Sequence, residues 1–182
     1  NPEFLALDLI SQAEHSSDTF CYLITNSEKT AKLVNEIISK LLPTIQRSEL
    51  VKSSLSKNGF IAVCKNSSDM VNLANSLAPE HLQIMTKNPK SISSKITTAG
   101  LVLLGDYSPS SASDYILGSN HILPTNGFGK IRGSLSVMDF IKINTEVTAS
   151  KLSLSKISKH LDTLTASEGL PNHYEAVRGR LQ

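Results

Sequence analysis

The residue pair Glu80-His81 has the side-chain types that acid/base chemistry needs. An adjacent carboxylate and imidazole offer two proton acceptors of different basicity at one point, which suits general base catalysis near neutral pH. The pair follows Ala78-Pro79, and Pro79 favours an extended Ala78, which would fix the direction in which the pair points. The alternative interpretation, which the sequence leaves open, is two solvated residues that lead into a strand.

Gln12 and His15 are candidates for metal ligands. They are three residues apart in a helix predicted over residues 2–15, so they would share one face and could hold one side of a zinc ion. The alternative is that they cap or solvate the end of that helix. Asp114 lies in a Ser-rich segment, where a lone Asp is usually a turn former. His121 could be a ligand, a phosphate contact or a structural donor.

His173, five residues after Glu168, lies in the break between the last two predicted helices, and the simpler interpretation of both residues is a polar turn. With His173 included, the chain has a plausible four-coordinate set of nitrogen and oxygen ligands. The members of that set are Gln12, His15, Asp114 and His173. They are too dispersed along the chain for their spacing to demonstrate a site.

Predicted strands and helices alternate through the first 104 residues. The predicted strands are 19–25, 60–64, 82–85 and 101–104, the second of them buried, and helices are predicted over 28–42, 67–77 and 89–96. Strict alternation favours a parallel sheet, here of four or five strands, with helices on its faces. No GxGxxG motif follows the first strand, so no dinucleotide phosphate loop is predicted.

The amino-acid composition changes after Gly105. Residues 106–134 are rich in Ser, Gly, Pro and Asn, and long irregular segments in compact domains are usually functional. From Ser150 onward the pattern is helical, with a break at 169–172. We therefore predict an α/β domain over 1–135 that carries most of the candidate residues, and a helical tail over 136–182. That tail is too small to fold alone, so it must pack on this domain or on a second subunit.

The composition is that of an ordinary globular protein, with 40% hydrophobic and 19% charged residues. The net charge of +2 is spread along the chain, so nucleic acid is not an expected partner, and no apolar run is long enough to span a membrane. Cys21 and Cys64 lie in apolar runs, which predicts buried, reduced thiols and a cytoplasmic protein. A chain that opens on a helix start at Asn1, without methionine, is interpreted as a fragment.

Five segments of the chain resemble histidinol dehydrogenases, in the order and at the spacing typical of that family. These segments are LISQAEH (9–15), APEHL (78–82), AGLVLLGDYSP with SDYILGSNHILPT (99–125), LSVMDF (135–140) and ASEGLPNH (166–173). The resemblance covers essentially all 182 residues but only the C-terminal part of the family's chain. It implies an incomplete Rossmann-like α/β domain followed by a small helical tail.

The resemblance implies a zinc-dependent, NAD-linked enzyme of histidine biosynthesis, which oxidises L-histidinol through the aldehyde to L-histidine. It also implies a homodimer in which the C-terminal helices cross to the partner and complete its site. No cofactor-binding residue is assigned in this chain, because NAD is expected to bind mainly the missing N-terminal part. The isolated fragment is therefore expected to be inactive.

The family's functional residues carry over position by position. Glu80 and His81 match the acid/base pair, with His81 abstracting the alcohol proton and Glu80 activating water. The matches to the zinc ligands are Gln12, His15, Asp114 and His173. The matches to substrate-contacting positions are Gln12, His15, His81, Asp114, Glu168 and His173.

Two other functions remain open at this point. The chain could be a non-catalytic zinc-binding or dimerisation module, since no cofactor domain is present. It could also belong to a divergent zinc dehydrogenase that acts on another amino alcohol, although Glu168 and the complete ligand set argue against this. The basic loop around 128–133 has no explanation in the sequence.

Overall fold

The computed structural model describes all residues from 1 to 182. The chain divides into two compact units, Asn1–Phe140 and Ile141–Gln182. The predicted domain division after residue 135, and the exchange of the tail between subunits, remain predictions. None of the helices is both long enough and apolar enough to cross a bilayer.

The first unit alternates helices with short strands. In chain order its elements are α1 (Pro2–Ala13), β1 (Tyr22–Thr25), α2 (Glu28–Leu41), α3 (Ser48–Asn58), β2 (Phe60–Val63), α4 (Ser67–Leu77), β3 (His81–Ile84), α5 (Pro89–Ser93), β4 (Leu101–Leu104) and α6 (Ser110–Ser113). Two single-turn 3₁₀ helices follow, at Phe128–Lys130 and Val137–Phe140. The second unit contains α7 (Lys151–Ser167) and α8 (Pro171–Leu181).

The strands pair in parallel, as the alternation predicted, but they do not form one sheet. β1 pairs with β2, and β3 pairs with β4, giving two separate two-stranded sheets. The predicted sheet of four or five strands is therefore wrong. Alternation of helices and strands determines that neighbouring strands run parallel, but it does not determine which strand edges meet. The predicted class, short parallel strands with helices and a helical C-terminal end, is confirmed.

Two local predictions are corrected by the structure. No helix was predicted between residues 42 and 60, yet Ser48–Asn58 is the helix α3. Its inward face includes Ser54, which is fully buried and donates through Oγ to the Thr19 carbonyl oxygen at 3.0 Å. A polar residue on the buried face weakens the apolar periodicity that marks a helix. The strand β2 was predicted to be buried, but Phe60 and Val63 at its two ends are 40% and 47% exposed.

Helix α1 is the central element of the first unit. Asn1 caps it by accepting from the Glu3 amide at 2.9 Å, and Pro2 occupies the first turn, as its sequence predicted. Its buried face carries Ala6, Ile10 and Ala13. That face packs against α2 and α3 in two buried clusters, one containing the fully buried Val51 and the other the fully buried Val34. This packing fixes the rotation of α1 and therefore the direction of its polar side chains.

The second unit is a helical hairpin without a buried core. Gly169, at φ +71°, reverses the chain, and the Leu170 amide donates to the Thr165 carbonyl at 2.8 Å, which closes the end of α7. Neither helix has a buried residue. Leu152, Ile157 and Leu164 on α7 are 68%, 48% and 58% exposed. Exposed apolar side chains in this number are typical of surfaces that contact another protein segment.

Candidate functional site

Gln12 lies in the last turn of α1, and its side chain is fixed by a serine that is 98 residues away along the chain. Its amide nitrogen Nε2 donates to Ser110 Oγ at 2.8 Å. Ser110 opens α6 and is only 4% exposed. Because the amide nitrogen is occupied in this way, the Gln12 oxygen Oε1, which makes no hydrogen bond, is the atom left available to a ligand or cation.

His15 does not share the helical face predicted for it. The helix α1 ends at Ala13, and Glu14 takes the C-cap position. The His15 amide donates to the Gln12 carbonyl at 3.2 Å, so a turn rather than helical periodicity relates the two residues. The His15 side chain is exposed. The prediction of one shared helix face was wrong because the helix ends two residues earlier than its apolar pattern suggested.

Asp114 terminates α6 and faces the start of β3. Its amide donates to the Ser110 carbonyl at 3.1 Å, which fixes the backbone beneath its side chain. Its carboxylate oxygen Oδ1 lies 3.0 Å from His81 Nε2. Asp114 is therefore more than the turn former that its Ser-rich segment favoured, since its carboxylate also contacts a distant imidazole. Its second oxygen, Oδ2, makes no hydrogen bond.

His81 is the first residue of β3, with only 15% of its side chain exposed. Because Asp114 in its ionised form can only accept a hydrogen bond, Nε2 must carry the proton of a neutral imidazole in this contact. The lone pair of neutral His81 then lies on Nδ1. The contact therefore selects one tautomer and orients the ring, which is the arrangement that a general base requires.

Glu80 is half-buried beside His81, at a point where the backbone is tightly packed. Ala78 adopts φ +47° and ψ +59° and forms the C-cap of α4. Its backbone is therefore left-handed, and the extended conformation that was predicted from Pro79 is wrong. The Leu101 amide donates to the Glu80 carbonyl at 2.8 Å. A Cβ on Gly100 would lie 2.8 Å from that same carbonyl oxygen, so only glycine permits the approach.

Asp8 and Gln83 are a second polar pair next to this site. Asp8 lies one helical turn before Gln12, and Gln83 lies on the same side of β3 as His81. Burial raises the pKa of the Asp8 carboxyl above its ordinary value, and the nearby Gln83 amide partly offsets that rise. The Gln83 nitrogen Nε2 is buried and makes no hydrogen bond. The Asp8 carboxyl and the Gln83 amide are therefore close to each other but not within ordinary hydrogen-bond geometry.

Glu168 and His173 belong to the second unit, and both are exposed. Glu168 is the C-cap of α7. His173 lies in the first turn of α8, which begins at Pro171, so it is inside the last helix and not in the break before it. Its amide donates to the Leu170 carbonyl at 3.0 Å. Their roles stay predictions.

The donor set fits zinc in its chemistry, and only part of it is assembled. Imidazole nitrogens with carboxylate and amide oxygens suit a borderline cation. Gln12 Oε1 and Asp114 Oδ2 are free of hydrogen bonds, and Ser110 of α6 contacts the Gln12 side chain and the Asp114 backbone amide. No group of three or more His, Cys, Asp or Glu residues forms in the chain. The fit is therefore that of a partial site that needs further ligands.

The basic loop at 128–133 packs on the entry to β4. Gly129 is buried against the Thr98 carbonyl, where a side chain would clash, and Pro124 packs against Gly100. Arg132 lies 3.6 Å from Asp139, and both groups are largely solvent-exposed. The loop is thus anchored by glycines, and its basic side chains point to solvent.

A hollow of 330 Å³ lies elsewhere, between α2, α3 and β2, and contains none of the candidate site residues. Cys21 lines it, and burial raises the pKa of this thiol to about 11, which makes it a poor nucleophile at neutral pH. Cys21 and Cys64 are both free thiols, Cys21 being buried and Cys64 half-buried. Cys21 is therefore not a candidate nucleophile.

Ser110 and Gln83 are the site residues that the sequence did not reveal. Ser110 is one of several serines in SPSSASD, and nothing in that composition distinguishes it from Ser111. Gln83 carried a usable signal, since alternation along a strand places it on the same side as His81. Asp8 carried one too, at four residues before Gln12 on a helix.

Comparison with known proteins places this arrangement in one family. The family model described as Histidinol dehydrogenase matches residues 1–181. A histidinol dehydrogenase of Oceanobacillus iheyensis is 39% identical over 177 residues, which cover 97% of this chain. One from Methanopyrus kandleri is 41% identical over 181 residues, covering 99% of this chain.

A solved structure agrees with these relatives. The crystal structure of histidinol dehydrogenase from Elizabethkingia anophelis matches 100% of this chain with a TM-score of 0.90 at 34% identity. The chain spans 42% of the length of each of these proteins. On the family match and the fold together, this chain belongs to the histidinol dehydrogenase family.

Proposed function

We propose that this chain forms part of a zinc-dependent, NAD-linked enzyme that oxidises L-histidinol through the aldehyde to L-histidine, in histidine biosynthesis. The family membership supports the reaction class. The single observation that carries the proposal within this chain is the contact between His81 Nε2 and Asp114 Oδ1 at 3.0 Å. It joins a candidate base to a candidate metal ligand and leaves Nδ1 as the proton acceptor.

In this proposal His81 and Glu80 divide the proton chemistry. His81 takes the hydroxyl proton of the alcohol on Nδ1, while its Nε2–H stays on Asp114. The resulting imidazolium is stabilised by that carboxylate, as a base with an orienting acid requires. Glu80, next along the backbone, removes a proton from water so that water can add to the aldehyde carbon before the second oxidation.

Zinc would be held by Gln12, His15 and Asp114 of one subunit with His173 of the partner subunit. When bound, zinc would supply a Lewis acid that holds the imidazole and amine of L-histidinol, and NAD would accept the hydride from the substrate. The substrate contacts would come from Gln12, His15, His81 and Asp114, with Glu168 and His173 of the partner subunit. No residue of this chain is assigned to NAD.

The homodimer in this proposal is supported by the second unit. A hairpin with no buried residue and an apolar face as open as that of α7 needs a covering surface, and a second copy of the protein would supply it. A site shared between subunits also agrees with the partial ligand set of one chain. The free thiols Cys21 and Cys64 support a reducing, cytoplasmic location.

The test uses an enzyme of the relatives' full length that contains this chain. NAD reduction with L-histidinol should require zinc, stop on chelation and return on zinc addition, with about one zinc per subunit. If zinc binds and no histidinol is oxidised, the chain is the non-catalytic zinc-binding or dimerisation module instead. If another amino alcohol is oxidised in preference, it belongs to a divergent zinc dehydrogenase.

A further inference from the structure

We propose that Ser110 is a positioning residue that holds the Gln12 side chain in the orientation whose amide oxygen faces the metal. This inference rests on the proposed function, since it concerns the zinc site described above. A glutamine can coordinate a cation only through Oε1, because its amide nitrogen has no available lone pair. Rotating the terminal amide by 180° exchanges oxygen for nitrogen with little change in shape, so a glutamine ligand needs a group that determines its orientation.

Ser110 is suited to that task. Its hydroxyl oxygen accepts from Gln12 Nε2 at 2.8 Å, and the residue is 4% exposed, so water does not compete freely for the contact. The Ser110 hydroxyl could also donate to an amide oxygen, but when Oε1 binds a cation the amide nitrogen faces α6, and the hydroxyl then accepts from it, as it does in the structure. The orientation that directs Oε1 away from α6, where it is free for a cation, follows directly.

Ser110 also has a backbone role towards the other ligand on this side of the site. Its carbonyl accepts from the Asp114 amide at 3.1 Å and from Ser113 Oγ at 2.7 Å. One buried residue therefore fixes Gln12 through its hydroxyl and Asp114 through its carbonyl. Groups that orient metal ligands in this way commonly contribute about 10- to 100-fold to metal affinity.

The preceding segment keeps Ser110 in place relative to the sheet. Ser108 Oγ donates at 2.9 Å to the carbonyl of Leu104, the last residue of β4. Pro109 then restricts the backbone immediately before Ser110. The acceptor for Gln12 is therefore attached to β4 and not to a freely moving loop. This rigidity allows a single hydroxyl to hold the amide in the orientation that the structure shows.

The test compares zinc affinity by chelator competition in Ser110→Ala and Ser113→Ala variants of the full-length enzyme. Ser113→Ala is the matched control, because Ser113 is fully buried in the same helix and its hydroxyl does not contact Gln12. Ser110→Ala should weaken zinc binding about 10- to 100-fold. Ser113→Ala should change it by no more than about threefold. Equal losses in the two variants would overturn the inference.

A second arm distinguishes positioning from a general packing effect. In Gln12→Ala no amide remains to be positioned. Ser110→Ala added to Gln12→Ala should therefore alter zinc affinity by about threefold or less. A loss as large as in the Gln12 background would show that Ser110 acts only on the fold. Cobalt substituted for zinc should show a changed absorption spectrum in Ser110→Ala and an unchanged one in Ser113→Ala.

A measurement on the unmutated protein keeps the inference open to refutation if Ser110→Ala does not fold. The side-chain amide protons of Gln12 should show a nuclear Overhauser contact with the Ser110 β-protons when zinc is bound, and the absence of that contact would contradict the proposal. If the unmutated enzyme binds no zinc, the proposed function fails and this inference fails with it. If it binds zinc and Ser110→Ala binds equally well, only this inference fails.

Discussion

Replacing His81 by Gln or by Asn separates the two tasks that the structure gives to this imidazole. Its Nε2 contacts Asp114 Oδ1 at 3.0 Å, and its Nδ1 is the proposed acceptor of the alcohol proton. The amide nitrogen of Gln reaches about as far as Nε2, whereas that of Asn reaches only about as far as Nδ1. Gln can therefore keep the contact with Asp114, Asn cannot, and neither can accept the proton at neutral pH.

The expected losses differ between the two measurements. Removing a general base commonly costs 10²- to 10⁴-fold in rate, which is about 3 to 5 kcal/mol of transition-state stabilisation at 1.36 kcal/mol per tenfold. Both variants should lose that amount in kcat. Zinc affinity should be nearly normal in His81→Gln and should fall about 10- to 100-fold in His81→Asn, since only Asn frees the Asp114 carboxylate.

The assay is steady-state NAD reduction with L-histidinol in the full-length enzyme, with zinc affinity measured in parallel by chelator competition. Zinc is added to saturation so that the two effects do not mix. A His81→Gln variant that keeps kcat within about tenfold of the unmutated enzyme would refute the role of His81 as base. Equal losses of zinc and of activity in both variants would instead show that His81 serves only the metal site.

The remaining predictions concern assembly and stability. Leu164→Glu, at an exposed position of α7, should convert the dimer to a monomer, as measured by light scattering. It should also reduce bound zinc below about one per subunit, and a monomer with full zinc would exclude a shared site. Val51→Ala should lower the free energy of unfolding, measured by urea titration, by about 2 kcal/mol, because the Val51 side chain is fully buried. The control Lys52→Ala, on the exposed side of α3, should change it by less than about 0.5 kcal/mol. Burial raises the pKa of the Asp8 carboxyl in the folded protein above its ordinary value of 3.8, so folding favours the protonated carboxyl. The contribution of Asp8 to the free energy of unfolding therefore falls as pH rises from 3.8 through the folded pKa. Asp8→Asn should therefore raise the melting temperature at pH 7 and make little difference below pH 3.8; a destabilised Asp8→Asn at pH 7 would contradict this.

Local patterns were sufficient for most of the elements. Asn1-Pro2-Glu3 predicted the start of α1, and the strand β4 lies where its four apolar residues were predicted. The failures have physical causes of two kinds. Ser54 is polar on the buried face of α3, so its periodicity was weak. The pairing of β1 with β2 and of β3 with β4 depends on contacts between distant segments, which alternation does not specify.

For the candidate site too, the sequence determined some features and only the tertiary structure determined the others. Residue types and motif order determined the family, the acid/base pair Glu80-His81 and the donor types suited to zinc. Only the tertiary structure decided that His81 lies against Asp114 and that Gln12 is oriented by Ser110. Side-chain chemistry is a property of each residue and can be recognised in a linear chain. Which nitrogen of an imidazole is free, and which atom of an amide faces a ligand, depend on neighbours 33 and 98 residues away that only folding brings within hydrogen-bonding distance.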